Sequence, residues 1–151
     1  MNANPQILPN SVTFFVPGIP RPKGSTKSFW HRHTKKLITT RSNPDGLAWE
    51  SRVTEFASKH CTPRQGPVSV EVRCYFQRPK SHFNKHGLKA TAPSFHLVSP
   101  DGDKLLRSIK DALTAVAYRD DKQVWKASIE KVYTTFLNKS DPGATIRISY
   151  Q

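Results

Sequence analysis

Cysteine is scarce in this chain, and two long stretches of it contain no acidic residue. The two cysteines, Cys61 and Cys74, stand outside any Cys-x-x-Cys or Cys/His ligand spacing. No zinc set is therefore available, and both read as reduced cytosolic thiols, with Cys74 on the apolar face of a strand. No run approaches the ~18 apolar residues that span a bilayer. Met1 to Asn10 has neither a positive start nor an apolar core, so no secretory leader is expected. The expected compartment is the cytoplasm, with no membrane partner. Residues 1–44 hold no Asp or Glu but seven Lys or Arg, and residues 72–100 hold no acid but five. Five of the eleven acids crowd into residues 101–121. A net charge of +13 over 151 residues draws polyanions by long-range attraction. A basic chain that gathers its carboxylates in one place is using them there.

The length suits one domain, and no internal repeat is present. Val12 to Val16 reads as a strand before a Pro-Gly turn. Pro17 to Lys36 is a basic loop with a short hairpin through Phe29 to Ile38. Ser42-Asn43-Pro44-Asp45 starts a helix that runs to His60 and carries Trp49, Val53, Phe56 and His60 at helical spacing. Pro67 to Phe76 alternates, with Val68, Val70, Val72, Cys74 and Phe76 inward. Residues 77–98 read as a mobile basic loop, and residues 1–11 as a flexible N-terminus. Asp101 to Val116 is a second helix, its apolar stripe being Leu105, Ile109, Ala112, Leu113 and Val116. Gln123 to Thr135 is a strand with Trp125, Ala127, Ile129 and Tyr133 on one face. Asn138 to Gly143 is a hairpin turn, and Ala144 to Tyr150 closes the fold. The expected class is α+β: one domain, a roughly four-stranded mixed sheet, two helices and long basic loops.

The chemistry rests on Pro100-Asp101-Gly102-Asp103 and Asp120-Asp121. Two carboxylates at i, i+2 across a loop-to-helix junction can converge on one cation. Hard divalent ions such as Mg²⁺ prefer carboxylate and water oxygens. Such ions activate water and stabilise charge on a phosphate. Arg107, four residues after Asp103, adds a cation on one helix face. Simpler readings stand beside this one. Asp101 could be only a helix N-cap, Asp103 could merely favour the positive helix end, Asp120-Asp121 could be a plain turn, and Arg107 could be solvated. There is also a geometric difficulty. The helix is ~24 Å long at 1.5 Å per residue. The second acidic pair meets the first only if the next strand turns back antiparallel to the helix, or if the cluster is completed across a dimer.

The stretch Ser99 to Val124, SPDGDKLLRSIKDALTAVAYRDDKQV, resembles the RusA family of Holliday junction resolvases, which show D-x-D-N-L-x-K, then D-A-L, then D-D-x-Q-V. Asp101, Asp103 and Leu105 match the first segment, Asp111-Ala112-Leu113 the second, and Asp120 to Val124 the third. More loosely, Phe15 to Ser25 is similar to the family's N-terminal strand and Pro-Lys-Gly loop, and Val68 to Lys80 to its strand ending in Arg-Pro-Lys. The likeness is closest to phage- or prophage-encoded members. It implies a homodimer that binds four-way DNA junctions and makes paired, ligatable nicks with Mg²⁺ (or Mn²⁺ in its place) in DNA recombination and repair. Catalytic and metal-binding roles carry over to Asp101, Asp103 and Asp121. The family lysine falls at Arg107 and the family asparagine at Lys104.

The candidate DNA contacts are Lys23, Lys27, Arg32, Lys80, Lys85, Lys104 and Lys110. Lys23 matches the Pro-Lys-Gly loop. His31 and His33 flank Arg32 and suit phosphate or solvent better than a metal. His82, His86 and His96 read as accessory DNA contacts. Phe29 and Trp30 could stack on exposed bases or cover the core. Two rival functions remain at this level: a non-catalytic basic DNA-binding protein, and a nuclease for other branched DNA.

Overall fold

The computed structural model describes residues 8–24, 26–41, 43–134 and 141–151. Strands β1 (Ser11–Pro17), β4 (Val68–Phe76), β7 (Val124–Tyr133) and β8 (Gly143–Tyr150) form one sheet in the order β1-β8-β4-β7. β8 runs antiparallel to both β1 and β4, and β4 and β7 are parallel. β2 (Thr26–His31) and β3 (Lys36–Arg41) form a separate hairpin, and β5 (Phe83–Asn84) with β6 (Gly87–Leu88) a much smaller one. Helices α1 (Pro44–His60) and α2 (Gly102–Leu113) pack against each other and on one face of the sheet.

The period-2 pattern of β4 is realised in full. Val68, Val70, Val72, Cys74 and Phe76 are all buried and meet Ile146 and Ile148 of β8 under the helices. α1 starts where the sequence places a cap. Asn43 accepts a bond from the Gly46 amide, and Pro44 and Asp45 occupy the first turn, where a missing N–H and a negative charge are both favoured. Trp49, Val53 and Ala57 form its buried stripe. In α2 the stripe is Leu105, Ile109, Ala112 and Leu113. Each of the larger side chains, such as Val53, Leu105, Ile109 and Leu113, contributes roughly 1.5–3 kcal/mol by leaving water. The expected α+β class and four-stranded mixed sheet are the observed ones.

Three boundaries and faces differ from expectation. α2 ends at Leu113 rather than Val116, because Ala115 has a positive φ of 68°, which breaks a right-handed helix. β7 is an edge strand, so Trp125 and Ala127 are exposed while only Tyr133 of its inward set is buried. Residues 94–96 add to its outer edge at one end, through His96 N–H to Lys131 O and Tyr133 N–H to Ser94 O. At the N-terminus, β1 begins at Ser11, and the Asn10 carbonyl accepts from the Tyr150 amide. Residues 138–140 of the expected Asn138 to Gly143 turn lie outside the described residues.

β4, α2 and β7 form a crossover between neighbouring parallel strands. Gly102, at the start of α2, lies against Ile129 and Lys131 late in β7. Tyr118, just past the other end of α2, donates its hydroxyl to the Lys110 carbonyl. α2 and β7 are therefore antiparallel, and the first residues of β7 lie at the helix's C-terminal end.

Candidate active site

The backbone of Asp101 caps α2: it is extended (φ −67°, ψ 141°), and its carbonyl accepts from the Leu105 amide. Its carboxylate makes no capping bond. That oxygen pair instead faces solvent, 3.3 Å from Lys104 Nζ, with both side chains more than 60 % exposed. Such an exposed pair is weak and readily replaced. Asp103, in the first helical turn, is exposed and has no hydrogen bond or ion pair among the described residues. Arg107, one turn on, is likewise exposed and makes no ion pair among those residues. The approach to Asp101 is fixed by Lys131, whose Nζ donates to the carbonyls of Val98 (2.7 Å) and Pro100 (2.6 Å). Two carboxylates without structural duties thus stand at a positive helix end, held by a lysine clamp.

Asp120 and Asp121 divide their labour. Asp120 accepts from the Lys122 amide, while Gln123 Oε1 accepts from the amides of Arg119 and Asp120. Gln123 Nε2 then donates to the carbonyls of Arg64 and Gly66. The bond from Lys122 lowers the pKa of the Asp120 carboxyl. Asp120 therefore builds the turn, and Asp121 beside it is exposed. Tyr118 is buried between this turn and α2. Its pKa is raised by burial, with the charges of Asp121 and Asp111 adding to the effect.

The acids form two groups rather than one. Asp101 and Asp103 lie at the N-terminal end of α2, and Asp121 lies at the C-terminal end, roughly 18 Å of helix away at 1.5 Å per residue. Among the described residues no three His, Cys, Asp or Glu side chains of the chain are close enough to hold one ion. The next strand does turn back antiparallel to the helix. It starts at the far end, however, so the return carries Ile129 and Lys131 to the first pair and leaves Asp121 behind.

The basic candidates also separate. Lys23 Nζ is 2.5 Å from Asp111 Oδ2, with both side chains under one-third exposed. Its charge is engaged on α2 rather than open to a phosphate. Lys104 leans on Asp101. Lys110 is half-buried, and its carbonyl accepts from Thr114 and Tyr118. Arg32 at the β2–β3 tip and Lys80 and Lys85 in the second loop are exposed. The side chain of Lys27 lies outside the described residues.

The structure corrects the reading of His96 as a DNA contact. It is 7 % exposed, stacks on Phe76 at 4.0 Å between ring centres, and meets Tyr133 edge-on. His82 also meets the Tyr133 ring, while His86 is exposed. Arg78 holds the start of the same loop, donating to the carbonyls of Thr134 and Pro93. Lys131 was missed by sequence reasoning, although it has the inward parity of Ile129 and Tyr133. A lysine at an inward position needs acceptors, and that was the available signal.

The pattern of the family described as endodeoxyribonuclease RusA matches residues 17–149, a span that includes both acidic groups, α2 and the whole β2–β3 hairpin. The chain belongs to the RusA family. A Bacillus subtilis (strain 168) relative, named Uncharacterized protein YqaN, is 31 % identical over 132 residues, covering 82 % of this chain and 88 % of its own length. RusA membership makes the chain a nuclease of the Holliday junction resolvase class, acting on branched DNA. Among the described residues no helix is long and apolar enough to cross a membrane.

Proposed function

We propose that this RusA-family chain resolves four-way DNA junctions as a homodimer, using Mg²⁺ held by Asp101 and Asp103 together with Asp121 of the second copy. The observation that carries the reading is the pair at the start of α2: one carboxylate that declines to cap its own helix, and another with no partner among the described residues. Two hard oxygen donors on an exposed, otherwise basic surface fit a magnesium ion, which takes one or two carboxylates and leaves other positions to water and phosphate. When bound, the ion supplies an activated water and stabilises charge on the scissile phosphate. The chain's own side chains do the rest. Lys131 orients the backbone that presents Asp101. Arg107 faces the phosphate with a cation where the family has lysine, keeping the charge and changing its shape. Mn²⁺ has the same ligand preference and substitutes. The setting is DNA recombination and repair in a bacterial cytoplasm, with a phage or prophage source for the gene.

The separation of the two acidic groups supports the dimer. Among the described residues nothing pairs with the outer edge of β7 over residues 124–130, and an open edge of this length invites another strand. Trp125, four residues beyond Asp121, is 59 % exposed; Leu97 and Val98, beside the Asp101 end, are 84 % and 60 % exposed. A two-fold axis that sets two β7 edges antiparallel lays the Asp121 end of each copy on the Asp101 end of the other. Each apolar end then covers its opposite in a self-complementary contact.

The test is twofold. Wild type cleaves a labelled four-way junction with Mg²⁺, and Asp103→Asn abolishes cleavage while binding persists; binding without cleavage in any divalent metal by wild type leaves a passive DNA-binding protein instead. Mixing Asp103→Asn with Asp121→Asn then decides the dimer. In a mixed dimer with shared sites, one site loses both acids and the other is intact, so single nicking returns without paired resolution. If each site lies within one chain, no activity returns.

A further inference from the structure

We propose that the β2–β3 hairpin is a stacking arm that inserts between unpaired bases where the strands of a branched DNA part, and that Trp30 and Phe29 select branched over continuous duplex DNA. This deepens the resolvase reading and rests on it.

The hairpin carries two apolar cross-strand pairs, and three of their four side chains are exposed while Ile38 is part-buried. Directly opposite residues share a face, so Trp30 and Leu37 lie on one side and Phe29 and Ile38 on the other. A strand pair that packed on the domain would bury one of these faces. Here Phe29 is 48 % exposed and Trp30 62 %, on opposite sides, and Leu37 is 66 % exposed. The hairpin's extensive contacts are internal: the strand register and a Ser28–Thr39 hydroxyl bond of 2.9 Å. Two-stranded ribbons are marginal alone in water, so this one needs an anchor, and its root supplies one. Gly24 and Asn43 pass so closely that a Cβ on Gly24 would lie 2.6 Å from that of Asn43. Lys23 joins Asp111 on α2. Asp111 follows Asp103 and Arg107 at intervals of four, on the same helix face. The arm is thus rooted on the helix that carries two of the proposed catalytic acids.

The occupant follows from charge and shape. The tip, His31 to Lys36, carries Arg32, Lys35 and Lys36, all exposed, and no acid occurs before Asp45. The turn is a built one: His31 Nδ1 accepts from the Thr34 amide at 3.2 Å, and Lys35 sits at φ 48°. Flat apolar faces flanked by cations match nucleobases attached to phosphates. Bases inside a continuous duplex are already stacked on each other. Bases at a branch point are the ones a two-faced wedge can reach.

The experiment uses the full-length protein without divalent metal, so that binding is read apart from cleavage. Affinities for a four-way junction and for a duplex of the same arms are compared at one salt concentration, with 2-aminopurine at the branch point. Trp30→Ala is expected to lower junction affinity roughly five- to hundred-fold with little change for duplex, the range for losing one base–aromatic stack, and to reduce the 2-aminopurine response. Phe29→Ala acts in the same direction, and Trp30→Phe restores most of the preference. Arg32→Gln weakens both DNAs alike, as a phosphate contact should. Circular dichroism checks that each variant is folded. A junction preference that survives both Trp30→Ala and Phe29→Ala overturns the proposal. So does a dimer that falls to monomers in Trp30→Ala, because the face would then belong to a second copy. Wild type with no junction preference would refute the resolvase reading itself, and the arm's role with it.

Discussion

Replacing Lys131 with methionine should damage catalysis more than its distance in sequence from the acids suggests. Its ammonium holds two carbonyls, Val98 O at 2.7 Å and Pro100 O at 2.6 Å, and these fix the chain that enters α2 at Asp101. Hydrogen bonds to a charged donor contribute about 1.5–3 kcal/mol each when shielded. One of these is exposed and the other only part-buried, and the freed carbonyls can rehydrate, so the pair together is worth about 2 kcal/mol. For a domain of this size that lowers the melting temperature by roughly 4–8 °C. The catalytic loss should be larger, on the order of a hundred-fold, because a displacement of ~1 Å in a positioned group can cost that much. The assay pairs urea unfolding with single-turnover cleavage at saturating junction, so that weaker binding cannot mimic a slower step. Lys131→Arg, which keeps several donors, should recover part of the rate. A Lys131→Met protein that loses stability but cleaves at the wild-type rate refutes the idea that this clamp positions Asp101.

His96 gives a pH test. Burial and the nearby Lys131 charge lower its pKa from the ordinary 6.5. Below that value the unfolded chain takes up a proton that the folded one resists, so stability is full above about pH 6.5 and falls as the pH drops. His96→Phe keeps the stack on Phe76 and sacrifices no bond of Nδ1 among the described residues. It should flatten the urea midpoint between pH 7 and pH 5, and an unchanged slope would assign the acid sensitivity elsewhere. Asp120 and Asp121 should part company: Asp120→Ala lowers the melting temperature through the lost cap, whereas Asp121→Asn leaves the melting curve intact and removes cleavage. Gly46→Ala, although alanine favours helix by about 1 kcal/mol, should destabilise by roughly 1–3 kcal/mol, because its Cβ would lie 2.6 Å from the Pro22 carbonyl. A more stable Gly46→Ala protein would show that the loop before the hairpin yields easily.

Much of the architecture was legible in the order of residue types. The alternation of Val68 to Phe76 and the stripe of Leu105, Ile109, Ala112 and Leu113 follow from which side chains leave water, and a period of 2 or 3.6 records that choice locally. The cap at Asn43 is local too, as are the acidic motif and the positive charge around it. Position in the sheet is not local. Whether Trp125 is covered depends on β7 lying at an edge, and His96 is buried only because residues 94–96 return to that edge. Lys23 could not be assigned to Asp111, 88 positions away, because ion pairs leave no trace in spacing. For the same reason the sequence by itself determined which acids are available and what they can bind. Only the tertiary structure decided that an antiparallel helix and strand hold Asp101 and Asp103 at one end and Asp121 at the other, since that separation is a property of chain direction in space and not of composition.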